Sequence, residues 1–443
     1  MAADETIFAL SSGGLPSGVA VLRISGPDVR FGLETLVDSV PEPRKASLRF
    51  IKGCDGAALD RGLILFFPAP ASFTGEDVAE LHVHGGRAVV AAVLDRLSAL
   101  EGFRAAEPGE FTRRAFINHR LDLTQAEGLV DLIAAETEAQ RRLALRQAGG
   151  ALRDLYEDWR ARLIRCRAMV EADLDFSDEE DVQGSVGTEI WDELAALSRD
   201  IQVHLDDSNR GERLRSGVDI VVLGPPNAGK SSLVNALARR EVAIVTPEAG
   251  TTRDLIEVHL DLGGVPGTLV DTAGLRQATG IVEVEGIRRA EGRAGDADLV
   301  LLLSEAGGDP AALPSGVRGH VIRVGTKIDQ IDSDEERLRL ESEFDLVIST
   351  RSGEGIEELL ARMTGFLVGE FSVGEEPLIT RARHRQALEE CGRALVSASL
   401  ESSDIELRAE ELRLATDSLG RITGRVDVED LLDVIFSEFC IGK

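Results

Sequence analysis

The stretch Gly224-Pro225-Pro226-Asn227-Ala228-Gly229-Lys230-Ser231, "GPPNAGKS", decides how the chain is read. It has the pattern G-x-x-x-x-G-K-[ST], preceded by the apolar run "DIVVL" and followed by the helical run "SSLVNALARR". A strand that turns through glycine into a helix lets consecutive backbone N–H groups face a phosphate chain, and the helix amino end adds favourable partial charge. In such a turn Lys230 reaches the β and γ phosphates and the Ser231 hydroxyl ligates magnesium. The strand before it and the helix after it distinguish the motif from a chance match.

Downstream, the companion motifs fall in the order a guanine-nucleotide hydrolase requires. "GTTRD" (250–254) lies in the effector loop, where Thr252 can ligate magnesium and sense the γ-phosphate. "DTAG" (271–274) follows an apolar run, so that Asp271 can act on magnesium through water and the Gly274 amide can touch the γ-phosphate. "TKID" (326–329) places Asp329 to accept both N–H groups on the guanine edge, and "STR" (349–351) completes the base site through its backbone. The usual base motif begins with Asn. Thr326 stands there instead, and its hydroxyl is expected to anchor the loop more weakly while guanine preference is kept.

Two parts of the hydrolytic machinery are not where Ras-like proteins keep them. The position after "DTAG" is Leu275, which cannot orient water, and the following "RQATGIVEVEGI" offers Gln277, Glu283 and Glu285 for that role. No finger arginine can be read from one chain. Asn227, beside the Thr-rich "VTPEAGTT", supplies oxygen ligands that could hold a monovalent cation in its place.

Around this centre the 443 residues have three textures. Residues 1–119 mix short strand-like runs ("VAVLRIS", "GLILFF", "VAELHVH") with one helical stretch, "RAVVAAVLDRLSAL". Residues 120–215 are helical, with Leu152, Leu155, Trp159, Leu163, Cys166 and Val170 on one face; the acidic "DFSDEED" (175–181) reads as a solvated turn closing that helix. Residues 216–372 alternate strands and helices as a parallel sheet does, and residues 373–443 return to helix. The fold class is thus multidomain α/β plus all-α, with a Ras-like P-loop domain inserted into a discontinuous helical domain.

Composition limits the function further. An apolar fraction of 43% and a charged fraction of 29% suit a soluble globular protein, and no apolar run approaches the roughly 18 residues of a membrane span. The acidic start "MAADETIFAL" lacks the features of a signal peptide, so a cytoplasmic protein is expected. A net charge of −29 argues against nucleic-acid binding through the chain's own surface unless a local basic patch or a basic partner supplies it. Cys54, Cys166, Cys391 and Cys440 are scattered, which fits a reducing compartment rather than a disulfide framework or zinc ribbon. The closing "FCIGK" mimics a prenylation signal, but its Gly and terminal Lys do not suit one.

Together "GPPNAGKSS", "GTTRD", "DTAGLR", "LRISG", "SFTGEDVAELHVHGG", "PGEFTRRAFINHRLDLTQAE" and "FCIGK" closely resemble the MnmE (TrmE) family of tRNA-modification GTPases, over essentially the whole chain. The resemblance implies an amino-terminal tetrahydrofolate-binding-like domain that forms a homodimer. It also implies an FAD-containing partner, MnmG (GidA). With that partner, a folate such as 5-formyltetrahydrofolate provides the carbon for an aminomethyl or carboxymethylaminomethyl group at C5 of the tRNA wobble uridine, the tRNA being held largely by the partner. Potassium replaces the arginine finger, with ligands at Asn227, Thr246, Glu248 and Thr251; magnesium sits on Ser231 and Thr252; and the family's spacing selects Glu283 as the water-orienting acid, with Asp271 and Lys230 beside it. GTP contacts fall at Asn227, Ala228, Gly229, Lys230, Ser231 and Ser232, at Thr246, Pro247, Glu248, Ala249, Gly250, Thr251 and Thr252, and at Asp271, Thr272, Ala273 and Gly274. Around the base they fall at Thr326, Lys327, Ile328, Asp329, Ser349, Thr350 and Arg351.

Folate contacts are implied at Arg23, Glu80, Arg120 and the tail Lys443, with Cys440 as a candidate thiol; position 120, often Lys in the family, is Arg here. "SSGG" (11–14) lacks the basic residue some relatives carry before "GG". His82 and His84, two apart on one strand face, suggest a pocket or structural role, or a metal pair without a third ligand. Arg113 and Arg114 suit either tRNA phosphate or an ion pair. A regulatory or ribosome-assembly GTPase would share the nucleotide motifs but has no need of a folate-like region or of "FCIGK".

Overall fold

Alternation of apolar and polar residues builds the first 105 residues around a sheet. The computed structural model describes residues 5–175, 188–240, 242–244, 257–271, 292–371, 374, 376–400, 404–426, 429–437, 439 and 441–442. Strands β1 (Thr6–Leu10), β2 (Ser17–Ser25), β3 (Ser47–Lys52), β4 (Ala58–Phe67), β5 (Val78–Gly85) and β6 (Phe103–Ala105) form one sheet in the order β3-β4-β5-β2-β1-β6. Neighbours are antiparallel except β1 and β6. Helices α1 (Val29–Val37) and α2 (Arg87–Ser98) cover one face, packing Leu33, Leu36, Val93 and Leu97 onto Leu22, Ile24, Leu81 and Val83. On the opposite face, Phe111 of α3 (Glu110–Ile117) packs with Ile7 and Ala9.

Helices α4 (Leu123–Ala134), α5 (Glu138–Ala148), α6 (Ala151–Asp175), α7 (Thr188–Asp206) and α8 (Ser208–Ser216) follow. Of the periodic face on α6, Leu152, Trp159, Leu163, Cys166 and Val170 are buried and Leu155 is half-buried; Tyr156, which that spacing leaves out, is fully buried. The helix ends at Asp175, and the rest of the acidic run lies outside the described residues.

A second sheet comprises β7 (Val218–Leu223), β8 (Glu257–Leu262), β9 (Val265–Asp271), β10 (Leu299–Glu305), β11 (His320–Thr326) and β12 (Leu346–Val347), in the order β12-β11-β10-β7-β9-β8. Only the β8–β9 pair is antiparallel. Its central strands are buried on both faces, which is why they read as unbroken apolar runs. Helices α9 (Lys230–Ala238), α10 (Asp334–Glu343) and α11 (Ile356–Phe371) accompany it, and α12 (Ala382–Ala398), α13 (Ile405–Thr423) and α14 (Glu429–Ser437) complete the chain.

The chain divides into two compact units, one of residues 1–130, 147–190 and 397–443, the other of residues 131–146 and 191–396. The helical stretches are therefore shared between the units. In the first, α6 packs along α13. In the second, Asp131 accepts hydrogen bonds from Arg215 at 2.9 Å and Arg381 at 3.0 Å, tying three distant segments together. No helix among the described residues is long and apolar enough to cross a membrane.

In the second unit, burial and then the nearby charge of fully buried His384 push His204 on α7 down to about 4. An unfolded-chain histidine protonates near ~6.5. Between these values the unfolded chain binds a proton that the fold excludes. The contribution is therefore complete above about pH 6.5 and is lost as pH falls toward about 4, by up to roughly 3 kcal/mol. Urea unfolding should show a stability loss between about pH 7.5 and about pH 5 that shrinks in His204→Gln; an equal loss in both proteins would rule His204 out as its source.

Candidate functional site

The phosphate turn begins where β7 runs out. Gly224 has φ 145°, and a Cβ there would stand 2.3 Å from the Leu303 carbonyl, so the turn can form against β10 only with glycine. Asn227 (φ 65°) and Gly229 (φ 89°) are also left-handed, which turns successive N–H groups inward before α9 begins at Lys230. Buried Lys230 donates through Nζ to the Gly224 and Pro225 carbonyls at 2.8 and 2.9 Å, so its ammonium arches over the turn.

The base loops meet this turn directly. Thr326 Oγ1 donates to the Ala228 carbonyl at 2.9 Å and lies 3.1 Å from the Ser304 carbonyl. One hydroxyl proton is thus shared between two acceptors: the anchor is present but rests on a single donor. Lys327 takes φ 62° and pairs with Glu305 at 2.6 Å. Asp329 Oδ1 accepts from Ser349 Oγ at 2.6 Å, and that oxygen accepts the Arg351 and Ser352 amides. Sequence motifs up to 125 residues apart therefore converge at the carboxyl ends of β7 and β11. Thr246, Pro247, Glu248, Ala249, Gly250, Thr251, Thr252, Thr272, Ala273, Gly274 and Glu283 lie outside the described residues, as does the side chain of Asp271.

A second constellation occupies the first unit. Strand register places Arg23 opposite Glu80, and Leu63 opposite both His82 and Leu48, all on the sheet face turned away from α1 and α2. Arg23 Nη2 pairs with Glu80 Oε1 at 2.9 Å, and His82 Nε2 lies 3.3 Å from Glu80 Oε2. The Arg23 guanidinium stacks 5.3 Å from the Phe73 ring centroid and 5.8 Å from that of Phe111. A Cβ at Gly75 would lie 3.2 Å from Arg120 Cγ, so the exposed Arg120 crosses the same loop two residues beyond Phe73.

The tail arrives beside this face. Ile441 bridges to Pro108, Ser11 Oγ donates to the Gly442 carbonyl at 2.8 Å, and Gly442 (φ 97°) has the Leu10 carbonyl where a Cβ would be, at 2.2 Å. Leu10 pairs with Leu22, the residue before Arg23. Ile435, Phe436 and Phe439 are buried with Leu123 and Ala126. Each such side chain stabilises by about 1.5–3 kcal/mol, more than the single hydrogen bond at Ser11, so burial holds the segment and the hydrogen bond sets its register. Cys440 and Lys443 lie outside the described residues.

Arg114 is not available to phosphate. It is 4% exposed and donates to Glu76 at 3.1 Å, Glu110 at 3.0 Å and the Glu5 carbonyl. Burial alone would raise the Glu110 pKa, but hydrogen bonds from Arg104, the Glu107 amide and Arg114 outweigh it and hold that carboxyl low. Arg113 pairs with Asp433 at 3.2 Å. His84 donates to Asp60 at 2.8 Å rather than joining His82, and among the described residues no cluster of His, Cys, Asp and Glu could hold a metal ion.

Family models described as "GTP-binding protein TrmE N-terminus" and "MnmE helical domain" match residues 6–120 and 123–440. Proteins named tRNA modification GTPase MnmE from Brucella anthropi and Mesorhizobium japonicum are 54% and 53% identical to the chain, covering 99% and 100% of it and 98% and 100% of their own lengths. The chain belongs to the MnmE (TrmE) family of tRNA modification GTPases.

In this MnmE-family chain the residues to which motif reading gave no role are the supporting ones. Phe73 and Phe111 carry the Arg23 guanidinium, and Ser11, in the same "SSGG" stretch that lacks a basic residue, donates to the tail carbonyl. All three stand in stretches that carry the family resemblance or flank it, "SFTGED", "PGEF" and "SSGG", but nothing local marks them for these contacts. Replacing Thr326 with Val removes the hydroxyl donor that joins the base strand to the phosphate turn. Stopped-flow release of a fluorescent GDP should then quicken by about fivefold, whereas an unchanged rate would mean the hydroxyl does not hold the turn.

Proposed function

We propose that the chain is a potassium-activated GTPase that carries a separate one-carbon site in its amino-terminal domain. With an FAD-containing partner of the MnmG (GidA) kind, it would install an aminomethyl or carboxymethylaminomethyl group at C5 of the tRNA wobble uridine. The observation that carries this reading is the seat of Gly442 against Leu10 of β1, one residue along from Ala9, the strand partner of Arg23, with Ile441 bridged to Pro108 beside it. A GTP switch that only recruits partners has no need for such a seat.

The residues present fit a tetrahydrofolate. Its pterin edge carries N–H donors, its ring is flat and its glutamate end is anionic. Glu80 offers a half-buried carboxylate oriented by Arg23 and His82, Phe73 and Phe111 offer flat apolar surface, and Arg120 offers a cation. Lys443 would add a second cation and Cys440 a thiol. When bound, the folate supplies the carbon unit; this chain's residues bind and orient it.

In the nucleotide site, Lys230 would bind the β and γ phosphates, Ser231 and Thr252 magnesium, and Asp329 the guanine. Asn227, Thr246, Glu248 and Thr251 would hold potassium, and Glu283 would orient water, with Asp271 acting on magnesium through water. The homodimer is supported by the sheet face described above, where Leu48, Phe50 and Leu63 are 53%, 55% and 43% exposed. The net charge of −29 supports tRNA contact chiefly through the partner, and a tRNA substrate puts the work in the cytoplasm.

Calorimetry with 5-formyltetrahydrofolate tests the reading. The full-length protein should bind it, and Gly442→Val, which forces a branched side chain against the Leu10 carbonyl, should weaken binding by at least about tenfold. No binding by the unaltered protein would leave only a GTP switch.

A further inference from the structure

Arg337 projects from α10 and spends its guanidinium in three directions. Nε donates to the Ile331 carbonyl at 3.1 Å, Nη2 to the Ile328 carbonyl at 3.1 Å, and Nη1 to Glu354 Oε1 at 3.0 Å. Ile328 and Ile331 flank Asp329 in the short turn that begins at Lys327. Glu354 belongs to the other base loop: its carbonyl accepts the Ser349 amide at 2.9 Å, and Ser349 Oγ donates to Asp329 Oδ1 at 2.6 Å. The contacts close a ring from Arg337 through the 328–331 turn, Asp329, Ser349 and Glu354 back to Arg337.

We propose that Arg337 is a positioning residue for guanine selection, locking the two base loops in register so that the Asp329 carboxylate faces the base. The proposal rests on Asp329 being the guanine acceptor. A carboxylate accepts two N–H groups at once only if its plane is held. Its carrier here is a single turn, whose backbone carbonyls on either side of Asp329 are pinned by one rigid fork. Guanidinium suits this task because its five donors are fixed in a plane; an ammonium at the same place would reach one acceptor well and lose the others. The phosphate turn is outside the ring, so loss of Arg337 should act on base discrimination more than on phosphate binding.

GDP and IDP, which differ by the guanine 2-amino group, separate these effects when each is titrated against the full-length protein. The unaltered chain should prefer GDP. Arg337→Met should narrow the GDP-to-IDP affinity ratio by about fivefold, chiefly through GDP, and Arg337→Lys should recover part of it. Arg339→Met, exposed on the same helix, is the control and should keep the original ratio. A purely structural lesion weakens both nucleotides alike and leaves the ratio intact. That outcome, or an unchanged ratio in Arg337→Lys should the Met variant fail to fold, overturns the proposal. Asp329→Asn tells apart the two ways of failing: without a shift toward xanthosine diphosphate the acceptor assignment itself is wrong, whereas a shift alongside an unchanged Arg337→Met ratio removes only the role of Arg337.

Discussion

At Gly442 the chain has room for a hydrogen atom and nothing larger. The Leu10 carbonyl occupies the space a side chain would need, and the φ of 97° is one that only glycine adopts readily. This close approach brings the carboxyl-terminal segment onto the first strand of the amino-terminal sheet, where Ser11 receives its carbonyl. The apolar surface of Ile435, Phe436 and Phe439 supplies the energy, and the glycine permits the distance. Gly109 repeats the device on the neighbouring loop, where a Cβ would stand 2.4 Å from the Phe436 carbonyl. Two glycines at positive φ, one from each partner of the contact, let the tail lie flat on the domain.

The nucleotide site obeys the same logic with different parts. Backbone carbonyls and amides at the ends of parallel strands are held at fixed spacing by a few donors: Lys230 within the phosphate turn, Thr326 between turn and base strand, and Arg337 across the two base loops. A ligand met by groups already in position costs less ordering on binding. Lys230 and Thr326 belong to the motifs they hold together, whereas Arg337 supports the base loops from outside any motif.

That division explains what was legible in the sequence. The parallel sheet was readable because its strands are continuous apolar runs and its motifs sit at their ends, as "DIVVL" before "GPPNAGKS" shows. β8 was not, since "EVHLDL" is a polar-rich edge strand, nor was β6, three residues long and visible only through its pairing with β1. Arg23, Glu80 and the tail were named through family motifs, and the structure brings Arg23 and Glu80 together with Gly442 nearby. Arg114 stayed ambiguous because adjacent arginines look alike in a string, and only the fold shows that one is buried among Glu76 and Glu110 while the other faces Asp433. Arg337 had no signal at all: it sits in the acidic run "DEERLRLESE", whose spacing says nothing of the two loops that the fold folds back onto it.

The most direct test of the central claim is mass spectrometry of wobble uridines in cells that lack the native gene and express a chain ending at Phe439. If the tail completes a one-carbon site, this chain should fold and hydrolyse GTP while the uridines stay unmodified. Full modification by the shortened chain would contradict the account, because the seat on β1 would then have no part in the chemistry.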